Sequence, residues 1–211
     1  YKTESELFGW SFVFHSAIAE EIKEGITQAV LGAEWWLPVN GSSWREPEGP
    51  GTDVFLTGRA SHPAVHISWN DAQAFCRWRG ARLPTEAEWE HACRAGTLGP
   101  HYAKLEQIAC TILNGDHFGE VGRYLPNEWG LYDMLGLVFE WCADVYGPYA
   151  GLSHTDPLRL EPATGEPLRR VVRGGCYMSQ PAEVRASARH ATVPERRSNQ
   201  IGFRVVLAPV M

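Results

Sequence analysis

The spacing of hydrophobic residues predicts two consecutive helices between residues 68 and 96. For the first, Ser68 or Asn70 is a suitable N-cap, and Gly80 is a suitable end because glycine adopts the left-handed conformation without strain. Its predicted apolar face consists of Ala72, Phe75, Cys76 and Trp78. These positions repeat at helical spacing, so the helix is expected to pack against the core.

The second helix has a capping box at its start. Thr85 and Glu88 are spaced so that each side chain can accept a hydrogen bond from the other residue's backbone amide. Trp89, Ala92 and Cys93 then share one face, and Gly96 is expected to end the helix. Glu86 and Glu88 are therefore interpreted as structural acids and not as catalytic ones.

Before residue 68 the pattern is weaker. Ile18, Ile22 and Ile26 lie four residues apart, which predicts a helix within a helix-and-loop region over residues 4–28. Proline, glycine and asparagine recur over residues 35–51, so this segment is predicted to be loop. Residues 64–67 are predicted to form a short strand.

After residue 96 we expect mostly loops and short strands. Residues 96–126 and 148–167 are predicted loops, and residues 168–172, 184–189 and 202–207 are predicted strands. Residues 135–141 read as a buried strand or turn that contains a single acid, Glu140. Because a carboxylate between two aromatic residues is costly to bury alone, Glu140 requires a partner or a cation.

Composition supports a loop-rich fold and limits the classes of partner. Nine tryptophans, 21 glycines and 14 prolines in 211 residues favour loops held by aromatic side chains over a helical bundle. The formal net charge of −6 disfavours general attraction to nucleic acid or to anionic membranes. No apolar run approaches the roughly 20 residues that cross a bilayer, and the first residues lack a signal-peptide pattern. We therefore expect neither nucleic acid nor a membrane as partner.

The five cysteines form no C-x-x-C pair, which argues against a structural zinc site and against a complete disulfide framework. An odd number implies at least one free thiol. Cys76, Cys93 and Cys142 lie beside aromatic residues and are expected to be small buried hydrophobes.

A collinear series of short motifs runs along the chain. In order they are FGWSFVF (8–14), WWLPV (35–39), WREPEGP (44–50), HPAVHISWNDA (62–72), RLPTEAEWE (82–90), GLYDM (130–134), EW (140–141), RGG (173–175) and GFR (202–204). The series resembles the formylglycine-generating enzyme, or sulfatase-modifying factor, family, from about residue 3 to residue 208. The resemblance implies that residues 1–211 form a single α+β domain of the C-type-lectin-like superfamily, rich in loops and without the family's N-terminal hairpin. His62 and His66 fall in this framework and are expected to be structural.

The resemblance also locates a departure at the family's catalytic site. In catalytic members an Arg-Gly-Gly-Ser-Tyr motif is followed by two cysteines that bind copper(I) and oxidise a cysteine of an unfolded sulfatase. Here Cys176 replaces the serine of that motif, Ser179 stands at the first copper position, and no second cysteine precedes Arg189. Cys176 and Ser179 are therefore the candidate catalytic residues. One thiol and the Met178 thioether are a poor copper(I) set, so copper is not expected.

Calcium is the cofactor that the resemblance suggests, although both family sites are altered. The family pattern Gly-Asn-x-x-Glu-Trp becomes GLVFEW at residues 136–141, which loses the asparagine oxygen and keeps Glu140. The other pattern, Asp-Gly-Phe, resembles residues 116–118. The candidate calcium ligands are Asp116, Phe118, Gly136, Val138 and Glu140.

The arginine-rich C-terminal segment is the candidate ligand surface. By resemblance it lines a groove that takes a peptide or protein ligand, and the candidate ligand-binding residues are Tyr177, Arg185, Ser187, Arg189 and Asn199. Forked arginine donors suit carboxylates and backbone carbonyls. The alternative is that the arginines, above all Arg82, Arg173 and Arg204, pair with the chain's own acids.

Three hypotheses for function follow. The first is a peptide- or protein-binding pseudoenzyme whose copper site is lost. The second is a divergent oxygen-dependent oxidoreductase with a rebuilt site around Cys176. The third is a hypervariable ligand-display protein, because the sequence NQIGFRVV at residues 199–206 is similar to the end of the variable region in such proteins.

Overall fold

Helices and strands are short, and irregular segments connect them. The computed structural model describes residues 1–114, 119–149, 151, 153 and 155–207. The helices are Glu4–Phe8 (α1), Glu20–Lys23 (α2), Trp69–Arg79 (α3), Glu86–Arg94 (α4) and Leu105–Ile108 (α5). The strands are Trp10–Phe14 (β1), Trp36–Asn40 (β2), Ala109–Cys110 (β3), Leu135–Gly136 (β4), Phe139–Val145 (β5), Arg170–Arg173 (β6), His190–Thr192 (β7) and Ile201–Gly202 (β8). Within these described ranges, no helix combines the length and apolarity needed to cross a bilayer.

The two predicted helices, α3 and α4, are confirmed with their caps. Ser68 caps α3 through the amide of its third residue, and Gly80 ends it in the left-handed region. Thr85 forms the predicted capping box at the start of α4. This helix ends one residue before the predicted Gly96, because Ala95 itself adopts the left-handed conformation with φ of 43°.

The central sheet contains four strands in the order β7-β6-β5-β8. β5 is antiparallel to β6, where Glu140 pairs with Arg173, and parallel to β8, where Phe139 pairs with Ile201. β3 and β4 form a separate parallel pair. The predicted strand at residues 168–172 is confirmed as β6, shifted by up to two residues. The predicted strand at residues 202–207 is confirmed only at its start, in β8.

The hairpin formed by β1 and β2 was not predicted from the sequence. β1 and β2 pair antiparallel, with Phe12 opposite Pro38, whereas residues 35–51 were predicted to be loop. Side chains alternate along a strand, and only Ser11 and Val13 of β1 are buried. Ile18, Ile22 and Ile26 pack together with Val13 and Val39. Of the three isoleucines only Ile22 is helical, within α2 (Glu20–Lys23).

Four further predictions were wrong. Residues 64–67 and 184–189 form no strand, and the backbone amide of His66 bonds instead to Ser198 O at 2.9 Å. Residues 96–126 were predicted to be loop but include α5 and β3. Phe75 and Trp78 of α3 are 42% and 78% exposed, so the apolar face of this helix is narrower than predicted.

The core is built around two fully buried tryptophans. Trp141 packs with Cys76, and its indole donates to Ile67 O at 2.9 Å. Trp89 packs with Cys93 and Cys142 on the other side of the sheet. All five cysteines are free and buried, which confirms the expectation made for Cys76, Cys93 and Cys142 and extends it to the other two.

Candidate functional site

A glycine turn carries the chain from β6 into the candidate site. Gly174 and Gly175 have φ values of 94° and 79°, which favour glycine. A Cβ on Gly174 would lie 3.2 Å from Met134 O, so the turn packs closely against the adjoining backbone. The turn leads into Tyr177, whose amide donates to Leu137 O at 2.9 Å, while the Leu137 amide donates to Cys110 O at 3.0 Å.

Cys176 and Ser179 close a tight loop inside the protein. The Cys176 amide donates to Ser179 Oγ at 3.1 Å, and the Ser179 amide donates to Cys176 O at 2.9 Å. The Cys176 Sγ lies 3.6 Å from Ser179 Oγ. Only 2% of Cys176 is exposed, and burial raises the pKa of its thiol to about 11. Near neutral pH this group is a protonated thiol with little nucleophilicity.

A second sulfur, which sequence analysis did not connect with Cys176, belongs to the same apolar cluster. This cluster contains Cys110 and Cys176, with Met178 packed against it. Burial also raises the pKa of the Cys110 thiol, which hydrogen-bonds to Tyr124. Copper(I) prefers soft thiolate donors, and this cluster offers two thiols, whose protons a metal would have to displace, and a thioether. This set does not match a preformed pair of thiolates.

Two candidate ligand-binding residues lie inside the protein and contact each other. Asn199 is fully buried and donates through Nδ2 to the Tyr177 hydroxyl at 3.1 Å. Its Oδ1 accepts from the Phe14 amide at 3.3 Å. Tyr177 is buried as well. The pair ties the C-terminal segment to β1.

The other three candidates differ from that pair in exposure and in partners. Arg185 and Ser187 are exposed, and Arg185 donates to Ala182 O at 2.8 Å. Arg189 forms two bonds of 2.6 Å to the Glu86 carboxylate and stacks over Tyr149 with its Cζ 4.0 Å from the ring centre. Of the five candidates, only Arg185 and Ser187 are therefore exposed to an external ligand.

Internal pairing, the alternative expected for the framework arginines, is confirmed. Arg173 is fully buried and donates to the Glu90 carboxylate and to the carbonyls of Ala186 and Ala188. Arg82 pairs with Glu88 on the surface. Arg204 pairs with Glu140, the buried acid for which the sequence required a partner.

The candidate calcium residues can be placed only in part. Glu140 accepts two bonds from Arg204, at 2.5 Å and 2.6 Å, and a third at 2.7 Å from the Trp89 indole. Gly136 and Val138 are buried beside Leu137, whose side chain joins the apolar cluster of Cys176. Asp116 and Phe118 lie outside the described residues. Within the described part of the chain, no group of three or more His, Cys, Asp or Glu side chains could hold a metal ion. Calcium binding stays a prediction.

His66 has the structural role expected for it. Its ring is fully buried, with Nδ1 2.8 Å from Ser11 Oγ and Nε2 2.8 Å from Pro47 O. Burial lowers its pKa to about 3, so the ring is neutral and donates to the Pro47 carbonyl. His62 lines a cavity of about 570 Å³ together with Tyr177 and the Glu48–Arg59 ion pair.

A groove that was not predicted from the sequence lies beside the β1–β2 hairpin. Its volume is about 660 Å³, and its walls include Trp10, Phe12, Ile22, Ile26 and Pro38. The signal was present in the sequence: aromatic residues occupy positions 8, 10, 12 and 14, a period of two that is typical of one strand face. Two arginines of the C-terminal segment, Arg196 and Arg197, stack on these rings.

Comparison with known proteins agrees with this fold. The sulfatase-modifying factor enzyme 1-like domain matches residues 12–209. The formylglycine-generating enzyme of Mus musculus is 40% identical over 225 residues, covering 97% of this chain and 59% of the relative. The inactive C-alpha-formylglycine-generating enzyme 2 of Bos taurus is 36% identical over 225 residues, covering 97% of this chain and 69% of the relative.

A solved structure has the same architecture. PvdO from Pseudomonas aeruginosa superposes with a TM-score of 0.66 at 27% identity, over 80% of this chain and 66% of that chain. The present chain spans only 59% of the length of the mouse enzyme. The match over residues 12–209 and the identity of 40% to the mouse enzyme show that the chain belongs to the family of sulfatase-modifying factor enzyme 1-like domains.

Proposed function

We propose that this chain is a non-catalytic member of its family that binds an extended peptide or protein segment. The observation that carries the proposal is the state of Cys176. Its thiol is buried, its burial raises the pKa to about 11, and its neighbour at the copper position is a serine, Ser179. Oxygen activation at copper(I) needs two soft thiolate donors, and Ser179 supplies a hydroxyl in place of one of them.

Relatives of both kinds are compatible with this proposal. The active mouse enzyme and the inactive bovine paralogue are 40% and 36% identical to the chain, so identity alone does not separate the two activities. The chemistry of the site must decide, and it favours the inactive class.

The groove beside the β1–β2 hairpin supports binding. Its volume of about 660 Å³ lies within the usual range of ligand sites. Aromatic and aliphatic walls provide the apolar contact on which peptide recognition depends. Two arginines of the C-terminal segment, Arg196 and Arg197, stack on Phe12 and Trp10, which are two of the residues that line this groove.

Cys110 favours a second candidate, the oxidoreductase. It shares an apolar cluster with Cys176 and Met178, so displacement of two thiol protons by copper(I) would create a soft site from residues distant in sequence. The hypervariable-display hypothesis receives less support. The segment that would vary, residues 176–199, begins and ends with the buried residues Cys176, Tyr177, Ser198 and Asn199, and diversification there would disrupt framework contacts.

The test combines catalysis and binding. The chain is loaded anaerobically with copper(I), mixed with a cysteine-containing peptide, and followed with an oxygen electrode. We expect no consumption above the copper-free control, together with retention of peptides from a random display library. Turnover that disappears in Cys176→Ser or Cys110→Ser would contradict the proposal and establish the oxidoreductase.

A further inference from the structure

Two arginines each stack on two aromatic rings of α1 and the β1–β2 hairpin. The Arg197 Cζ lies 4.6 Å from the Phe8 ring centre and 4.7 Å from that of Trp10. The Arg196 Cζ lies 4.8 Å from Phe12 and 4.9 Å from Trp36. We call this set, Phe8, Trp10, Phe12, Trp36, Arg196 and Arg197, the Arg–aromatic ladder.

The ladder carries positive charge that no carboxylate neutralises by direct contact. Arg197 donates to two carbonyl oxygens, Trp10 O at 3.2 Å and Glu195 O at 3.4 Å. Arg196 makes neither an ion pair nor a side-chain hydrogen bond with any residue that the structure describes. Burial lowers the pKa of both arginines, and the charge of Arg197 lowers that of Arg196 further. The five N–H donors of the Arg196 guanidinium therefore have no acceptor among the side chains and carbonyls that the structure describes.

Arg196 differs in this respect from other arginines of the C-terminal segment. Arg173, Arg189 and Arg204 each hold a carboxylate of the chain itself. An acceptor for Arg196 would have to come from outside the described residues. A carboxylate is well suited, because its two oxygens match the guanidinium fork and its charge relieves the repulsion between neighbouring arginines.

The ladder and the groove share two rings. Trp10 and Phe12 line the groove and also support Arg197 and Arg196. An occupant that packs on the Phe12 ring therefore lies within reach of the Arg196 guanidinium. The groove itself offers Ile22, Ile26 and Pro38, which suit an apolar side chain.

We propose that the groove and Arg196 together bind an acidic peptide segment, with an apolar side chain in the groove and an aspartate or glutamate carboxylate on Arg196. This inference rests on the proposed binding function and specifies the chemistry of its ligand. A peptide fits better than a nucleic acid, because two arginines neutralise few phosphates and the chain has a net charge of −6.

The experiment selects peptides from a random dodecapeptide display library on the immobilised chain. We expect the retained pool to be enriched in Asp and Glu next to Trp, Phe or Leu, relative to the unselected library. Retention of this pool should be lost in Arg196→Gln and preserved in Arg79→Gln, which removes the same charge from an exposed arginine outside the ladder. The strongest selected peptide, labelled with fluorescein, should bind Arg196→Gln about tenfold more weakly, since hydrogen bonds to charged groups typically contribute this much.

A second measurement needs no variant of the protein, and so covers the case in which Arg196→Gln does not fold. The selected peptide is compared with its copy in which each Asp and Glu is an amide, and the copy should bind the unaltered chain about tenfold more weakly. Equal affinities, or a retained pool without acidic enrichment, would overturn the acidic ligand while leaving peptide binding intact. An empty pool would overturn both proposals. Displacement of the selected peptide by a dT12 oligonucleotide at equal concentration would assign the ladder to nucleic acid instead.

Discussion

The Arg204 guanidinium holds the Glu140 carboxylate through two bonds, Nε to Oε2 at 2.5 Å and Nη2 to Oε1 at 2.6 Å. Glu140 lies in β5 and Arg204 follows β8, so the pair connects neighbouring parts of the central sheet. Removing one partner of a buried pair leaves the other charge uncompensated. We therefore expect Arg204→Gln to lower the free energy of unfolding by about 3 kcal/mol, measured by urea denaturation.

A surface pair provides the matched control for this prediction. Arg82 and Glu88 make an equally short contact, but their side chains are 44% and 41% exposed. Arg82→Gln should cost less than about 1 kcal/mol, because solvent screens an exposed pair. Equal losses in the two variants would show that the Glu140 pair is not a buried electrostatic contact.

Removal of calcium tests whether Glu140 is a metal ligand in addition to being the partner of Arg204. Both carboxylate oxygens already accept bonds from Arg204, and Oε2 also accepts from the Trp89 indole. A calcium ion at this carboxylate would have to displace Arg204, so we expect excess EDTA to change the Tm of Glu140→Gln and of the unaltered chain by the same amount, to within about 2 °C. A fall in Tm that occurs in the unaltered chain and is absent in Glu140→Gln would identify Glu140 as a calcium ligand.

The buried thiols should react slowly in the native protein. All five cysteines are buried, and burial raises the pKa of Cys176 to about 11. We expect DTNB at pH 7.5 to label less than one thiol within minutes in buffer and all five in guanidinium chloride. Gln180→Cys, at an exposed neighbouring position, should add one fast-reacting thiol. Fast labelling of Cys176 itself would contradict the assignment of this residue as an inert buried thiol.

Gly130 and Gly136 have the same φ of 74°, so substitutions at the two positions distinguish the energetic cost of backbone strain from that of close packing. At Gly130 an added Cβ meets nothing within 4 Å, whereas at Gly136 it would overlap the Cys110 carbonyl. Gly130→Ala should cost about 1–2 kcal/mol, the strain of the left-handed conformation alone. Gly136→Ala should cost about 2 kcal/mol more, because β3 and β4 must separate. Equal costs from urea denaturation would mean that the β3–β4 contact is looser than described.

The buried His66 should make stability depend on pH. Its pKa is about 3 in the folded chain against 6.5 for the free side chain, so between these values the unfolded state binds more protons. The contribution of neutral His66 is fully present above pH 6.5 and is lost as the pH falls towards 3. The slope is about 1.4 kcal/mol per pH unit within this window.

The check compares urea denaturation of the unaltered chain and of His66→Asn between pH 4.5 and pH 8. Asparagine tolerates the positive φ of 59° at this position, so the variant removes the titrating ring without adding backbone strain. Burial raises the pKa values of Asp133 and Asp144, so these two groups give the free energy of unfolding a pH dependence of opposite sign. Their contribution is the same in both proteins and cancels when the two curves are subtracted. An identical slope in the variant would show that His66 is not buried in its neutral form.

Much of the framework could be predicted from local sequence signals. Ser68 and Thr85 each specify a helix start through contacts within a few residues, and both caps are present. The need of Glu140 for a partner also followed from its neighbours, because an unpaired carboxylate between aromatic residues is costly. The neighbouring residues did not indicate which residue would pair with Glu140, because Arg204 lies 64 positions away.

The site was predictable to a lesser extent. The exchange of a copper cysteine for Ser179 is visible in the sequence and is the basis of the proposed function. The partner of each arginine is not visible in the sequence, because it depends on which distant element packs beside that arginine. Arg189 meets Glu86, while Arg196 meets Phe12 and no carboxylate among the described residues.

By itself the sequence determined the family, the caps of α3 and α4, the absence of paired copper cysteines after β6, and the requirement that Glu140 be compensated. These are properties of residue type and short spacing, which local hydrogen bonding and desolvation fix. Only the tertiary structure decided that Cys110 joins the cluster of Cys176, that Asn199 faces inward to Tyr177, and that Arg196 lies on the rings of the hairpin. Those contacts join residues far apart in the chain, and the packing of strands and loops, which no local pattern encodes, brings them together.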